Sequence, residues 1–172
     1  MKWFKYGSIG MRLHCATLVA LAAVFGLLLA GYSFESARIE STRIDLLRSV
    51  VQSATAIAAG FEKQQRDGTL TAAQAQHDAI QAIAAIRYLG DDYVWINDMH
   101  PTMVMHPTQP ALNGTDLTGV ADPHGIRLFV AAADTVRAHG SGVIAYLWPH
   151  PGSAEPVPKL SFVAGFQPWS SL

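Results

Sequence analysis

From Cys15 to Phe34 the chain reads CATLVALAAVFGLLLAGYSF, twenty residues without a charge. Wound as a helix at about 1.5 Å per residue, they reach about 30 Å, the thickness of one bilayer hydrocarbon core. Such a run leaves two choices: the chain spans a membrane, or the run is a signal peptide that is removed. Its length, and the lack of a clear A-x-A site before Glu35, favour a retained helix. Lys2, Lys5 and Arg12 precede the run, and Glu35, Arg38 and Glu40 follow it. The positive-inside rule therefore puts residues 1–14 in the cytoplasm, 15–34 in an inner (cell) membrane and 35–172 on the periplasmic or extracellular side. Trp3, Phe4 and Tyr6 on one flank, with Tyr32 and Phe34 on the other, suit anchoring at the two interfaces. Ala22, Gly26 and Ala30 recur every four residues, a spacing that lets two such helices approach, so a homodimer through the N-terminal helix is expected.

The exported remainder is long enough for one domain, and with 50% hydrophobic and 15% charged residues the chain is not a disordered one. Twelve Lys and Arg against thirteen Asp and Glu give a net charge of −1, which excludes the basic surface that nucleic acids require. The first 14 residues hold three of the basic groups and no acid, so the charge is polarised across the membrane run. A single cysteine, Cys15, rules out an internal disulfide framework and a cysteine-rich metal site.

Beyond the membrane, Ile39, Leu46, Leu47, Val50, Ala54, Ile57 and Phe61 fall on one helical stripe, so the spanning helix is expected to continue outward. It should stop near Arg66-Asp67-Gly68, where Gly68 can adopt the left-handed cap. Thr71 and Gln74 form a capping-box arrangement opening a second helix that runs to about Leu89. Asp91 to Asp98 and Thr102 to Pro107 then read as a β-hairpin around His100-Pro101. Residues 107–125, rich in Pro, Gly, Asp and Asn, form a long loop. Ile126 to His139 reads as a third helix stopped by Gly140, and 142–149 and 157–166 as a second hairpin. The order predicts an α+β domain with one mostly antiparallel sheet.

Strand alternation puts Tyr93, Trp95 and Asn97 on one face, giving aromatic walls and hydrogen-bonding groups that serve either a small polar ligand or an ordinary core. Tyr146 and Trp148 share a face of the second hairpin, and Lys159 and Ser161 share one on its partner strand. A lysine among apolar strand residues either points to solvent or meets an anion, because burying an unpaired ammonium is unfavourable. Seven histidines show no metal-ligand spacing, and His106 alone is kept as a polar group reaching the first face. Asp91 and Asp92, adjacent on a strand, point to opposite faces and are expected to cap the helix-strand junction. No nucleophile elbow, P-loop or dinucleotide fingerprint is present, so neither catalysis nor a cofactor is expected.

The runs Ile86-Arg87-Tyr88, Tyr93-Val94-Trp95-Ile96-Asn97-Asp98 and His100-Pro101-x-Met103-x-Met105-His106-Pro107 resemble the single Cache type 2 sensor domain. So do Gly114-x-Asp116, Asp122-Pro123-x-Gly125, Pro158-Lys159-Leu160-Ser161-Phe162-Val163 and Phe166-x-Pro168-Trp169. The resemblance covers roughly residues 37–170 and implies a long N-terminal helix followed by a PAS-like antiparallel sheet, as in the sensors of methyl-accepting chemotaxis proteins. It implies a small-carboxylate ligand and points to Tyr93, Trp95, His106, Tyr146, Trp148 and Lys159 as the residues lining its pocket. In the family a further strand, a second membrane helix and signalling modules follow Trp169, whereas this sequence ends at Ser170-Ser171-Leu172, so residues 35–172 read as a C-terminally incomplete sensor domain. The alternatives are a secreted or tethered binding protein with no signalling role, or a degenerate receptor fragment.

Overall fold

The computed structural model describes residues 9–169, apart from the side chains of Arg12, Ser36 and Ala37. The flanking aromatics Trp3, Phe4 and Tyr6, the basic Lys2 and Lys5, and the last three residues lie outside the described part. Helix α1 (Ile9–Arg66) is followed by α2 (Ala72–Ala84), four short strands, α3 (Leu128–His139) and two nine-residue strands, β5 (Ser141–Pro149) and β6 (Pro156–Ala164). The short strands are β1 (Arg87–Tyr88), β2 (Asp92–Tyr93), β3 (Ile96–Asn97) and β4 (Met103–Met105). The chain divides into two compact units, residues 1–43 and 44–172.

In the first unit α1 is the one helix among the described residues that is long and apolar enough to cross a membrane. Its large apolar side chains are open, with Leu18 65% and Leu27 74% exposed. Its hydroxyls are satisfied within the helix: Thr17 donates to the Leu13 carbonyl at 2.9 Å and Ser33 to that of Leu29 at 3.0 Å. A bilayer offers no water to do this, so internal back-bonding is what a spanning helix needs.

In the second unit α1 buries Leu47, Ala54 and Ala58, and the last two, flanked by Ile57 and Phe61, pack on Ala75, Ala79 and Ile83 of α2. Leu46, expected on that stripe, is 38% exposed, since it lies about 100° around the helix from Leu47. Ile39 is exposed in the first unit. Gly68 takes a φ of 74° and ends α1, and the capping box is complete: Gln74 N donates to Thr71 Oγ1 at 3.2 Å and Thr71 N to Gln74 Oε1 at 3.0 Å. Trp169 is buried here too and donates from Nε1 to Gln65 Oε1 at 2.9 Å, pinning the C-terminal turn to α1.

The sheet is built of three antiparallel ribbons, β1–β2, β3–β4 and β5–β6, with no ladder joining them among the described residues. The second helix stops at Ala84 and not at Leu89, because Arg87 and Tyr88 pair with Tyr93 and Asp92. Leu89 (φ 46°) and Gly90 (φ 92°) make that turn. The expected first hairpin is consequently split. β2 pairs backward with β1, while Ile96 and Asn97 pair forward with Met105 and Met103 through a register shift. Asp98 closes the forward turn by accepting from His100 N and Thr102 N at 2.9 and 2.8 Å.

The 107–125 loop contains a 3-10 turn at Pro110–Leu112 and is held by Asp122. One oxygen of Asp122 accepts from His124 N and Ile126 N, the other from Leu147 N at 2.8 Å on β5. Burial pushes this carboxyl's pKa up, but the three amides outweigh it and hold the pKa below its ordinary value. Ile126 is thereby kept out of α3, which begins at Leu128.

Helix α3 lies close on β5 and β6. A Cβ on Gly142 would sit 2.5 Å from Thr135 Cγ2, and Thr is stiff about χ1. Gly142→Ala is expected to destabilise the domain by about 1 to 3 kcal/mol. Chemical denaturation of the full chain measures this, and Val143→Ala on the same strand, 38% exposed, serves as the tolerated control.

Candidate functional site

In β5–β6 the register sets Tyr146 opposite Lys159, Ile144 opposite Ser161 and Trp148 opposite Val157. Directly opposed residues of an antiparallel pair share a face, so Tyr146, Trp148, Lys159 and Ser161 project together. The Tyr146 and Ser161 hydroxyls lie 2.8 Å apart. Burial drives the Tyr146 phenol far above its usual pKa, only partly offset by that hydrogen bond, so it stays a neutral hydroxyl.

His106, directly after β4, is 3% exposed. Gln109 N donates to its Nδ1 at 3.0 Å, so Nδ1 is the acceptor and the ring proton resides on Nε2. Nε2 then donates to the Tyr93 hydroxyl oxygen at 3.3 Å, leaving the Tyr93 O–H to donate elsewhere. Burial pushes the His106 pKa down to about 4, fixing the neutral form at neutral pH. The Tyr93 phenol is raised by its own burial, with partial relief from Thr108 and Trp148.

Trp148 stands 6.4 Å from the His106 ring and packs edge-on against Phe129 of α3 at 5.7 Å. Its Nε1–H is buried without a hydrogen bond of ordinary length, and acts only weakly on the Tyr93 hydroxyl. Trp95 is different: its N–H is spent on Asn97 Oδ1 at 3.0 Å, and its ring forms a wall against Phe129 and Tyr146 at 6.4 and 6.5 Å. Lys159 Nζ lies 2.8 Å from Asp92 Oδ1, the two side chains 12% and 26% exposed.

All six expected residues therefore enter one cluster, linked by Tyr93–His106, His106–Trp148 and Trp95–Tyr146, with Lys159 beside Tyr146. Of the two alternatives open for Lys159, solvent or an anion, the structure shows the anion, since Asp92 holds it. Asp92 correspondingly does not cap the helix-strand junction. Phe129, which separates Trp95 from Trp148, was legible only as a core residue of α3. The Asp92–Lys159 pair had no local signal at all, its members being 67 residues apart.

A cavity of about 390 Å³ is a neighbouring and more apolar space. Tyr93, Trp95 and Ser161 reach its wall beside Leu47, Ala54 and Ile83, while His106, Tyr146, Trp148 and Lys159 do not. It runs between β3 and β6, whose facing edges carry no ladder partner. The donors and the cation belong to the aromatic cluster, which adjoins the cavity through Tyr93, Trp95 and Ser161, so the candidate ligand site is the cluster together with that edge of the cavity. No group of three or more metal-binding side chains occurs among the described residues.

The neutral His106 makes a pH prediction. Its folded pKa lies below the unfolded value of 6.5, so its contribution is fully present above pH 6.5, is lost as the unfolded chain protonates on acidification, and is gone by about pH 4. Stability in chemical denaturation should fall over that window by up to about 3 kcal/mol, and His106→Gln should flatten the slope. An unchanged slope in the variant would show that other groups set the acid sensitivity.

Comparison with known proteins gives a consistent set of similarities. Residues 30–172 match the Cache domain family, dCache_2. Over 98% of its length the chain is 39% identical to the methyl-accepting chemotaxis protein McpP of Pseudomonas putida (strain KT2440), and it spans about a third (31%) of that protein. Among solved structures, a periplasmic sensor domain of a chemotaxis protein is 45% identical with a TM-score of 0.74, covering 76% of this chain and 90% of its own. A Cache chemosensory domain described for carboxylic acid recognition is 39% identical with a TM-score of 0.74, covering 77% and 90%.

Proposed function

The chain belongs to the Cache domain family, and from that membership we propose that it is the membrane-anchored, extracytoplasmic ligand-sensing part of a chemotaxis-type signal transducer whose ligand is a short carboxylate. Family membership carries the sensor role, and the chemistry of the cluster carries the ligand class. The single observation behind the ligand class is that the polar groups without a full set of close hydrogen bonds are donors: the Trp148 N–H, the Tyr93 O–H and the Lys159 ammonium. An oxyanion satisfies all three, whereas an amine satisfies none of them. Trp95, Phe129 and Tyr146 supply apolar walls for a chain of two to four carbons. The similarity to a Cache domain described for carboxylic acid recognition supports the same ligand class.

In this reading no bond is made or broken and no cofactor is needed. The carboxylate bridges the Tyr93 side and the β5–β6 side of the cluster, and by binding one arrangement better than another it shifts the population between them. That shift biases α1, and a displacement of the spanning helix along or across the membrane carries the signal to the cytoplasm. Residues 1–14 are cytoplasmic and the domain periplasmic, and a second copy pairs through the N-terminal helix.

Lys159→Met keeps side-chain length and removes the charge. A charge-assisted hydrogen bond of about 1.5 to 3 kcal/mol is lost, so affinity for acetate, lactate or propionate should fall about ten- to a hundredfold. Calorimetric titration of the full chain in detergent against acids, amines and amino acids is the measurement. Tight binding of an amine, or carboxylate binding indifferent to the substitution, would overturn the ligand class. For topology, reporter fusions after residue 60 should be active with a periplasmic reporter and silent with a cytoplasmic one, and the opposite pattern would end the sensor reading.

A further inference from the structure

Five ion pairs occur among the described residues, and four of them, Arg48–Asp45, Lys63–Asp67, Arg66–Glu62 and Arg137–Asp134, are one-turn neighbours with an exposed cation. The fifth, Lys159–Asp92, differs on every count. It is long-range, both partners are largely buried, and it joins two ribbons that share no ladder. Lys159 stands opposite Tyr146 on the face of the aromatic cluster, while Asp92 comes from β2, next to Tyr93.

We propose that Asp92 is a specificity-determining counter-ion that competes with the ligand carboxylate for Lys159. The inference rests on the carboxylate reading given above and deepens it. Asp92 already balances the single cation of the cluster. A monocarboxylate that reaches Lys159 brings a second negative charge into a place from which water is mostly excluded, and two carboxylates on one ammonium repel. The ligand relieves this repulsion by taking Lys159 and releasing Asp92. A dicarboxylate adds a third negative charge and is rejected more strongly, so Asp92 sets a preference for monocarboxylates. Release also cuts the one ion pair between β2 and β6, which frees the β1–β2 ribbon, the element that follows α2 directly. Binding thereby changes a contact between ribbons as well as filling a pocket.

The test uses the full chain in detergent, with Asp92→Asn compared to the unaltered protein and propionate and succinate titrated calorimetrically. Asp92→Asn should bind propionate at least about tenfold more tightly, and the ratio of propionate to succinate affinity should shrink. The gain should be much smaller when Asp92→Asn is made on a Lys159→Met background, since no cation is then set free. Unchanged or weaker propionate binding by Asp92→Asn would overturn the proposal, as would an equal gain in both backgrounds. Tighter binding of an amino acid than of propionate that depends on Asp92 would also overturn it, because Asp92 would then be a contact for the ligand ammonium. Should Asp92→Asn fail to fold, hydrogen exchange on the unaltered chain decides. Propionate should speed exchange of the amides of residues 87–93, and unchanged or slowed exchange there contradicts release. Absence of any carboxylate binding by the unaltered chain would defeat the ligand class itself, an outcome distinct from carboxylate binding indifferent to Asp92.

Discussion

The ion pair between Lys159 and Asp92 spans a gap that the backbone leaves open. The ribbons β1–β2, β3–β4 and β5–β6 each satisfy their own ladder and share none with one another among the described residues. What relates them at the candidate site is side chains: the ion pair, the Tyr93–His106 hydrogen bond and the rings of Trp95, Phe129, Tyr146 and Trp148. The nine-pair ladder of β5–β6 opens cooperatively, whereas a handful of side-chain contacts opens locally at lower free energy. A ligand that competes for one of these contacts therefore acts where the domain is least constrained.

The supports of the cluster are rigid by comparison. Asp122 fastens the long loop to Leu147, one residue from both Tyr146 and Trp148. Asn113 Oδ1 accepts from His106 N at 2.8 Å while Gln109 N fixes the ring, so the backbone and the tautomer of His106 are set by the same loop. The loop reads in sequence as a Pro- and Gly-rich connection, yet its amides position a buried imidazole that burial keeps neutral. Position and protonation state are thus settled by groups that do not themselves face the ligand space.

How much of this could be read from the sequence follows the range of the interaction. The Gly68 cap and the Thr71–Gln74 box are local, and both stand as expected, because every atom involved lies within a few residues. The shared faces of Tyr146 with Trp148 and of Lys159 with Ser161 follow from the period of a strand, and the register confirms both. The split at Val94-Trp95 was not legible, since Asp92 and Tyr93 have β-propensity whichever neighbour they choose, and the backward turn at Leu89-Gly90 decides it. The Asp92–Lys159 pair was not legible either, because no periodicity connects residues in different ribbons. The six candidate residues were named through a family resemblance, and alternation alone left a ligand face and an ordinary core equally open.

Small ligands impose a harder demand on such a site than their simplicity suggests. With an upper bound of about 1.5 kcal/mol per non-hydrogen atom, a five-atom acid such as propionate can gain at most about 7.5 kcal/mol, which corresponds to low-micromolar affinity. Approaching that limit leaves nothing for reorienting donors during binding. The Trp148 N–H meets the demand because it is already buried without a close acceptor, an unfavourable state that an arriving oxyanion relieves. Tyr93 meets it because His106 Nε2–H occupies its oxygen and turns its own proton outward. Lys159 alone is already engaged by a carboxylate, so part of its attraction is offset, and the offset grows with each negative charge the ligand carries. Affinity then draws on all three donors, while selectivity among acids rests on the charged pair, whose net attraction depends on how many negative charges the ligand brings.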